Sequence, residues 1–274
     1  MTLVPEQPPD PYTHGHHESV LRSHRWRTAE NSAAYLLPHL RPGLDLLDVG
    51  CGPGNLTRDL ARRVAPGRVL GLDAASDAVD AARADGSAEG GDPPVEFAVG
   101  DVYALDVEDA SFDVVHAHQV LQHLADPVAA LRELRRVVRP DGLVAIRDSD
   151  YAAMIWAPLD PRLDRWLAIY HDLTRRNGAE ADAGRFLLGW AQAAGFREVT
   201  ATTSTWTFAD PETRSWWGSL WADRVTESSY ATQALEHGLA DEAELTDLAD
   251  AFRAWAAAPD GFFAVLHGEV LARP

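Results

Sequence analysis

Three groups of residues in this chain have the types and spacing to do chemistry. The densest is Gly50-Cys51-Gly52-Pro53-Gly54, with Asp48 just before it and Asn55 just after. Glycine lets the backbone turn tightly and approach a ligand, and the unpaired N–H groups of a helix start attract polar groups. The second group is two acids that end apolar runs, Asp73 in Val69-Leu70-Gly71-Leu72-Asp73-Ala74 and Asp101 in Gly100-Asp101-Val102. Asp73 is placed to accept hydrogen bonds from a ribose diol, and Asp101 suits an adenine amino group. The third group is His118-Gln119-Val120-Leu121-Gln122-His123, with Asp148 further on, where unperturbed imidazoles would titrate near neutral pH.

A glycine turn with these acids reads as a nucleoside site, and two ligand classes use such turns. The dinucleotide fingerprint G-x-G-x-x-G needs glycine where this chain has Asn55. Asp48 would also repel a pyrophosphate and attract an ammonium group. An NAD-type oxidoreductase is therefore the disfavoured alternative.

The elements that position these groups alternate. Apolar Leu44–Val49, Val69–Asp73, Val95–Val99, Phe112–His118 and Leu143–Ile146 read as buried parallel strands. Between them lie helical patterns over Asn55–Val64, from a cap at Ser76 to Ala84, and over Pro127–Val138, with a Gly/Pro/Asp-rich loop at Asp85–Pro94. Arg139-Pro140-Asp141-Gly142 reads as a turn. This is an α/β chain with a parallel sheet and right-handed crossovers. One helical pattern precedes the sheet, Ser19 to about Leu40, with Trp26, Ala29, Ala33, Leu36, Leu37 and Leu40 on one face. Later, Asp164–Arg176 and Gly184–Ala194 read as helices, and Val199–Trp206 and Phe262–Leu271 as strands.

The turn Asp48-Val49-Gly50-Cys51-Gly52-Pro53-Gly54, Asp73 and Gly100-Asp101-Val102, in that order, resemble the class I S-adenosylmethionine (SAM)-dependent methyltransferases, particularly the ubiquinone/menaquinone-biosynthesis type. The resemblance covers roughly Leu44 to Asp148. It implies a Rossmann-like seven-stranded mixed sheet with helices on both faces, SAM as cofactor and S-adenosylhomocysteine as product. Asp48, Gly50, Cys51, Gly52, Asp73, Ala74, Asp101, Val102, His118 and Gln119 would then border the cofactor. A segment before the first strand would form a lid, with Tyr12, His14 and Arg27 as candidates and Arg27 facing the SAM carboxylate. His123 would match a histidine that sugar O-methyltransferases use as a base, Asp148 an active-site acid, and His14 completes the catalytic candidates. His123 could equally cap or fill its loop, and Asp148 anchor a turn with Ser149 and Asp150. Asp141 departs from the family's second glycine, while Gly142 is kept.

In the family the last two strands form an antiparallel pair joined by a modest loop, but here Ala209–Gly261 intervenes. About fifty residues are too many for a bare loop. The expected layout is an arm and lid over 1–43, the core over 44–208, a helical cap over 209–261, and the last strand over 262–274. Trp217 and Trp221, four apart on one helical face, are candidates for an acceptor pocket, although aromatic stripes at helical spacing commonly belong to a core.

Composition narrows what remains. The chain has 274 residues, 46% hydrophobic and 24% charged, enough for a full core. A net charge of −18 argues against nucleic acid. No lysine is present, which excludes a Walker-A loop, a pyridoxal-phosphate Schiff base and a lysine base. The single cysteine, Cys51, forbids an internal disulfide and reads as a small residue beside the cofactor. His14, His16 and His17 match no established metal-ligand spacing, so no metal is expected. No run is long enough to span a membrane, and the proline-rich Met1–Pro11 lacks the features of a signal peptide, so a cytoplasmic protein is expected. The expected function is methylation of carbon, oxygen or nitrogen on a small, largely apolar aromatic metabolite, of secondary metabolism or quinone-like. A non-catalytic SAM- or metabolite-binding protein is a further alternative, and oligomeric state stays open, a homodimer included.

Overall fold

The computed structural model describes residues 18–85 and 93–274. Eight strands form one sheet: β1 Leu46–Val49, β2 Val69–Asp73, β3 Glu96–Val99, β4 Phe112–His118, β5 Val138–Ser149, β6 Ile155–Ala157, β7 Glu198–Phe208 and β8 Phe262–Arg273. The order is β3-β2-β1-β4-β5-β8, parallel through β5, with β8 antiparallel and β7 antiparallel on its other side. The three-residue β6 pairs with Phe262–Ala264 of β8 beyond the stretch that β5 occupies, so it extends β5 end to end. The sheet is thus seven strands wide, as expected. Strand order reverses between β1 and β4, and the cleft outside their C-terminal ends is where open α/β sheets bind ligands.

Helices cover both faces. After β1, α3 (Asn55–Val64) buries Leu56, Leu60, Ala61 and Val64 on a cluster with Leu46, Val114 and Leu143. Opposite, α5 (Pro127–Val137) buries Ala130, Leu131, Leu134 and Val137 against Val115, Val144 and Ile146. Three helices share one start signal: α5, α6 (Pro161–Arg176) and α8 (Pro211–Glu227) each have proline first and aspartate as N-cap. Asp126, Asp160 and Asp210 accept from backbone N–H groups that the helix leaves unpaired, each worth about 0.5–2 kcal/mol. Helix α7 (Leu187–Ala193) precedes β7, and between β7 and β8 the chain forms α8, α9 (Ser229–Glu236) and α10 (Glu242–Ala257). These bury their own apolar cluster with α6, centred on Trp166, Trp217, Trp221, Phe252 and Phe263. Helix α8 packs tightly on α10, since a Cβ at Gly218 would lie 2.6 Å from the Ala256 Cβ.

Several expected boundaries move. The helix expected over Ser19–Leu40 is broken into α1 (Glu18–Arg25), α2 (Ala29–Ser32) and a 3-10 turn at Leu37–His39. Thr28 causes the break: its side chain accepts from Asn31 N–H while the Asn31 side chain accepts from Thr28 N–H, which restarts the helix. The fifth strand is longer than Leu143–Ile146, because Val138 already pairs with Phe112 and the expected turn, Arg139–Gly142, bulges out of the strand. Ser76 is the first residue of α4 (Ser76–Asp85). Most of the Asp85–Pro94 loop lies outside the described residues. Among the described residues no helix is long and apolar enough to cross a membrane.

Candidate active site

Gly50, Gly52 and Gly54 all have left-handed backbone, with φ of 72°, 53° and 82°. A side chain at Gly50 would put Cβ 2.3 Å from the Val120 Cγ2, and one at Gly52 would meet the His24 Nδ1 at 3.2 Å. Gly52 N–H donates to Asp73 Oδ2 at 2.9 Å and Ala75 N–H to Asp73 Oδ1 at 3.0 Å. The carboxylate is thus fixed beside the turn with lone pairs to spare. Ala74 is exposed next to it and Val102 is buried, while Asp101 is exposed and accepts from Tyr103 N–H at 2.9 Å. Burial, reinforced by Asp48, pushes the Cys51 thiol well up, which fits a small packing residue and no thiolate. Asp48 departs from the expected partner for a ligand ammonium. Buried, it accepts from Thr57 Oγ1 at 2.5 Å and from the His116 ring nitrogen Nδ1 at 2.7 Å. It ties the start of α3 to β4.

A polar ladder not expected from the sequence runs across the sheet face that α2 and α3 cover. In register run His118 (β4), Arg147 (β5), Glu269 (β8) and Thr202 (β7), with Ser149, His267 and Ser204 one step toward the cleft. Arg147, 1% exposed, donates from Nε to Ser204 Oγ at 3.1 Å and lies 3.3 Å from Glu269. Its Nη1 and Nη2 have no hydrogen-bond partner among the described residues, and burial lowers its pKa to about 10. Both ring nitrogens of buried His118 are likewise unpartnered among the described residues. Burial, then Arg27 and Arg147, hold His118 well below the usual imidazole range. The only sequence signal was charge at alternate positions of otherwise apolar strands.

Arg27, between α1 and α2, reaches this ladder. Its Nη2 donates to Gln119 Oε1 at 2.5 Å, and Gln119 Nε2 lies 2.9 Å from His267 Nε2. Because arginine only donates, the Gln119 amide must turn its NH2 toward His267. His267 Nδ1 meets the Val265 carbonyl at 3.1 Å, so the proton sits on Nδ1. Gln119 pays for this position with φ of 54°, an uncommon conformation for a side-chain-bearing residue and frequent at functional sites.

A second glutamine fixes His123. Gln122 Oε1 accepts from the Ser149 N–H and hydroxyl, and a backbone N–H can only donate. Gln122 Nε2 therefore donates to His123 Nε2, 3.0 Å away, and His123 carries its proton on Nδ1. Burial, then Arg27, lowers its pKa to about 3. The expected base is thus wired as a donor, its lone pair already used. Asp148 also departs from expectation: fully buried, it accepts from Gln122 N–H at 3.2 Å and anchors the turn that carries Gln122 and His123. Burial raises its pKa to about 7 against the lowering by those backbone N–H groups.

Two adjoining cavities occupy the cleft. The smaller is lined by Asp48, Gly50, Cys51, Gly52, Asn55 and His118. The larger is lined by Tyr151, Met154, Trp206, Trp217 and Trp221, together with Gln119, Gln122, His123 and Arg224. His24 and Arg27 line both. Trp217 and Trp221 are therefore wall and core at once: Trp217 stacks on Phe208 at 4.3 Å and Trp221 on Phe252 at 5.7 Å. Tyr12 and His14 lie outside the described residues. The left-handed glycine cradle, the start of α3, Asp73, and the unpartnered His118 ring fit an adenosyl ligand.

Residues 47–146 match the family model described as a methyltransferase domain. An uncharacterized methyltransferase of Schizosaccharomyces pombe is 32% identical over 267 residues, covering 95% of each chain. The 2-methyl-6-phytyl-1,4-hydroquinone methyltransferase of Synechocystis is 31% identical over 194 residues, covering 68% of this chain and 56% of its own. Among solved structures, the YcgJ protein of Bacillus subtilis superposes with a TM-score of 0.55 at 18% identity, covering 88% of this chain and 97% of its own, a likeness of fold. The glycine turn and its acids thus have the setting their order implied, and this chain belongs to the class I SAM-dependent methyltransferases.

Proposed function

We propose that this enzyme methylates a small, flat, largely apolar aromatic metabolite held in the cavity between the glycine turn and α8. The observation that carries the reading is the wall of that cavity, where Tyr151 and Met154 from the segment after β5, Trp206 from β7, and Trp217 and Trp221 from α8 come together. Rigid aromatic walls suit a flat apolar acceptor through area burial and offset stacking. The hydroquinone named for the Synechocystis relative is an acceptor of this kind.

The cofactor would lie along the smaller cavity. Gly50, Cys51 and Gly52 would face it through backbone, Asp73 would take the ribose diol, and Asp101 with Ala74 and Val102 would border the adenine. Arg27 would meet its carboxylate, with His118 and Gln119 beside its methionine part. When bound, SAM supplies a methyl group on a sulfonium centre that leaves as a neutral thioether. The protein's own part is placement: aligning two reactants in one cleft supplies up to about 7–11 kcal/mol. Gln122 and Ser149 hold the His123 ring, and Asp148 holds the turn beneath them.

The test is turnover. Incubation with SAM and a panel of hydroxylated, aminated and carboxylated arenes should release S-adenosylhomocysteine with a methylated arene. Release only with aliphatic acceptors would sink the aromatic assignment. Trp217→Phe, which keeps a ring in the core but shortens the wall, should raise the acceptor KM while leaving SAM affinity unchanged.

A further inference from the structure

The two sides of the sheet are finished differently. On one side β3 is four residues long, and Arg83 covers its Phe97 carbonyl from Nε at 3.2 Å and Nη2 at 2.8 Å. Shortness and a charged cover are ordinary guards against strand addition. On the other side β7 runs eleven residues in unbroken register with β8, with no proline, glycine or bulge. From Val199 to Phe208 it carries no charged side chain, and Thr200, Ala201, Thr202, Thr203 and Thr205 are exposed. Among the described residues, its backbone groups facing away from β8 have no backbone partner. A long, regular, uncharged and β-branched edge is a template for one more strand.

Charge selects the occupant. Two copies of a chain that carries −18 repel each other, so they meet at least cost along a neutral strip. The ends of this strip are of opposite sign. At its start Arg197 and Arg273 outnumber Glu198, which is in register with Arg273, and at its finish stand Asp210 and Glu212. Antiparallel pairing of β7 with the same strand of a second copy lays each start against the other's finish. Opposite charges then meet at both ends, whereas parallel pairing would bring like ends together. A two-fold axis perpendicular to the sheet also keeps each face on its own side. Helix α7, which packs on β7 and β8, then comes alongside its counterpart. Leu188 of α7 and Phe186 just before it are 39% and 42% exposed. They add apolar area to a strand pair that alone falls short of the roughly 800 Å² per partner of a standard interface.

We propose that β7 is the seam of a homodimer. A second copy adds its own β7 antiparallel about a two-fold near Thr203, and one continuous sheet runs through both copies. An isologous contact of this kind uses the edge up, so assembly stops at two. Trp206, near the finish of β7, lines the larger cavity, so the seam braces a strand that carries part of that wall.

Sedimentation over a range of concentrations tests this, together with amide hydrogen exchange. The wild-type protein should sediment as a dimer, with the alternate β7 amides that face away from β8 protected. Thr203→Lys sets two ammonium groups face to face at the two-fold and should raise the dimer's dissociation constant at least about tenfold, deprotecting those amides while the melting temperature of the monomer stays put. Thr203→Val, which keeps a neutral β-branched side chain, should leave the dimer intact. Leu188→Asp, on the flank, should weaken it by less. A wild-type protein that stays monomeric at every concentration overturns the proposal, and so does assembly beyond two copies. A dimer whose outward β7 amides exchange freely, or one that a folded Thr203→Lys leaves unchanged, also overturns it. The exchange pattern of the wild type decides the matter even if the variants fail to fold.

Discussion

The glycine-turn half of the cleft and the cap half meet at His24 and Arg27, yet they draw on the chain in opposite ways. The first is assembled from neighbours in sequence: three left-handed glycines within five residues, with the acid at the end of the next strand locked to the Gly52 N–H. Its function lies in backbone geometry. The second gathers single side chains from α1, the β4–α5 turn, β7 and α8, and its function lies in rings that also hold a core together. A site made of backbone can lose a ligand without losing the fold. A site made of core rings cannot change so freely.

The largest effect should come from the cap. Trp221→Ala removes a fully buried ring stacked on Phe252 and edge-on to Trp166, and should cost about 3–5 kcal/mol in urea unfolding. A loss under about 1 kcal/mol would mean that the ring is wall only, and the contrast between the halves would fail.

Asp148, at the border, should give the next largest effect, and one that depends on pH. Its folded pKa of about 7 lies above the unfolded value of about 3.9, so the folded state holds the extra proton in between. The stability it contributes is complete at acid pH below about 4 and is lost as pH rises through about 7, by up to roughly 4 kcal/mol. Asp148→Asn keeps an oxygen for the Gln122 N–H and should make the protein more stable than wild type above pH of about 7, with no gain near pH 4. Urea melts of both proteins across that range check the crossing, and parallel curves would place the carboxyl in a wetter site.

On the backbone side, Asp73→Ala should weaken S-adenosylhomocysteine binding by about 1.5–3 kcal/mol while unfolding shifts far less. Equal affinity in calorimetry would remove Asp73 from the site. The smallest effect is expected at the seam: Asp223→Ala breaks a half-exposed ion pair with Arg22, 2.8 Å, worth about 0.2–1 kcal/mol. A larger drop in melting temperature would show that α1 is anchored more firmly than its polar contacts imply.

The same contrast explains what could be read in the sequence. Strand β4 and helix α3 run as expected because period and apolar content are local signals, and the turn between β1 and α3 announces itself by glycine. The break at Thr28 is also a local signal, a T-x-x-N capping box within an apolar stripe. His123 lines the larger cavity and Asp148 is buried beneath it, but their hydrogen-bonding roles are not legible in the sequence. Which imidazole nitrogen holds the proton depends on Ser149 acting through Gln122, twenty-six residues beyond His123, and a carboxyl pKa near 7 depends on burial that only the folded chain creates. Arg147 and Glu269 pair across strands 122 residues apart in number, so no window of sequence contains both.

Helix α1 carries a kinetic consequence. His24 and Arg27 wall both cavities, while Arg22 and Ser23 hold α8 through Asp223 and Arg224. A displacement of this helix that admits one ligand reshapes the chamber of the other. By thermodynamic linkage, whatever factor the first ligand changes in the second's affinity, the second must return to the first. The half-exposed Arg22–Asp223 pair is of the modest kind, and if this helix swings, turnover would be paced by a hinge that both reactants share.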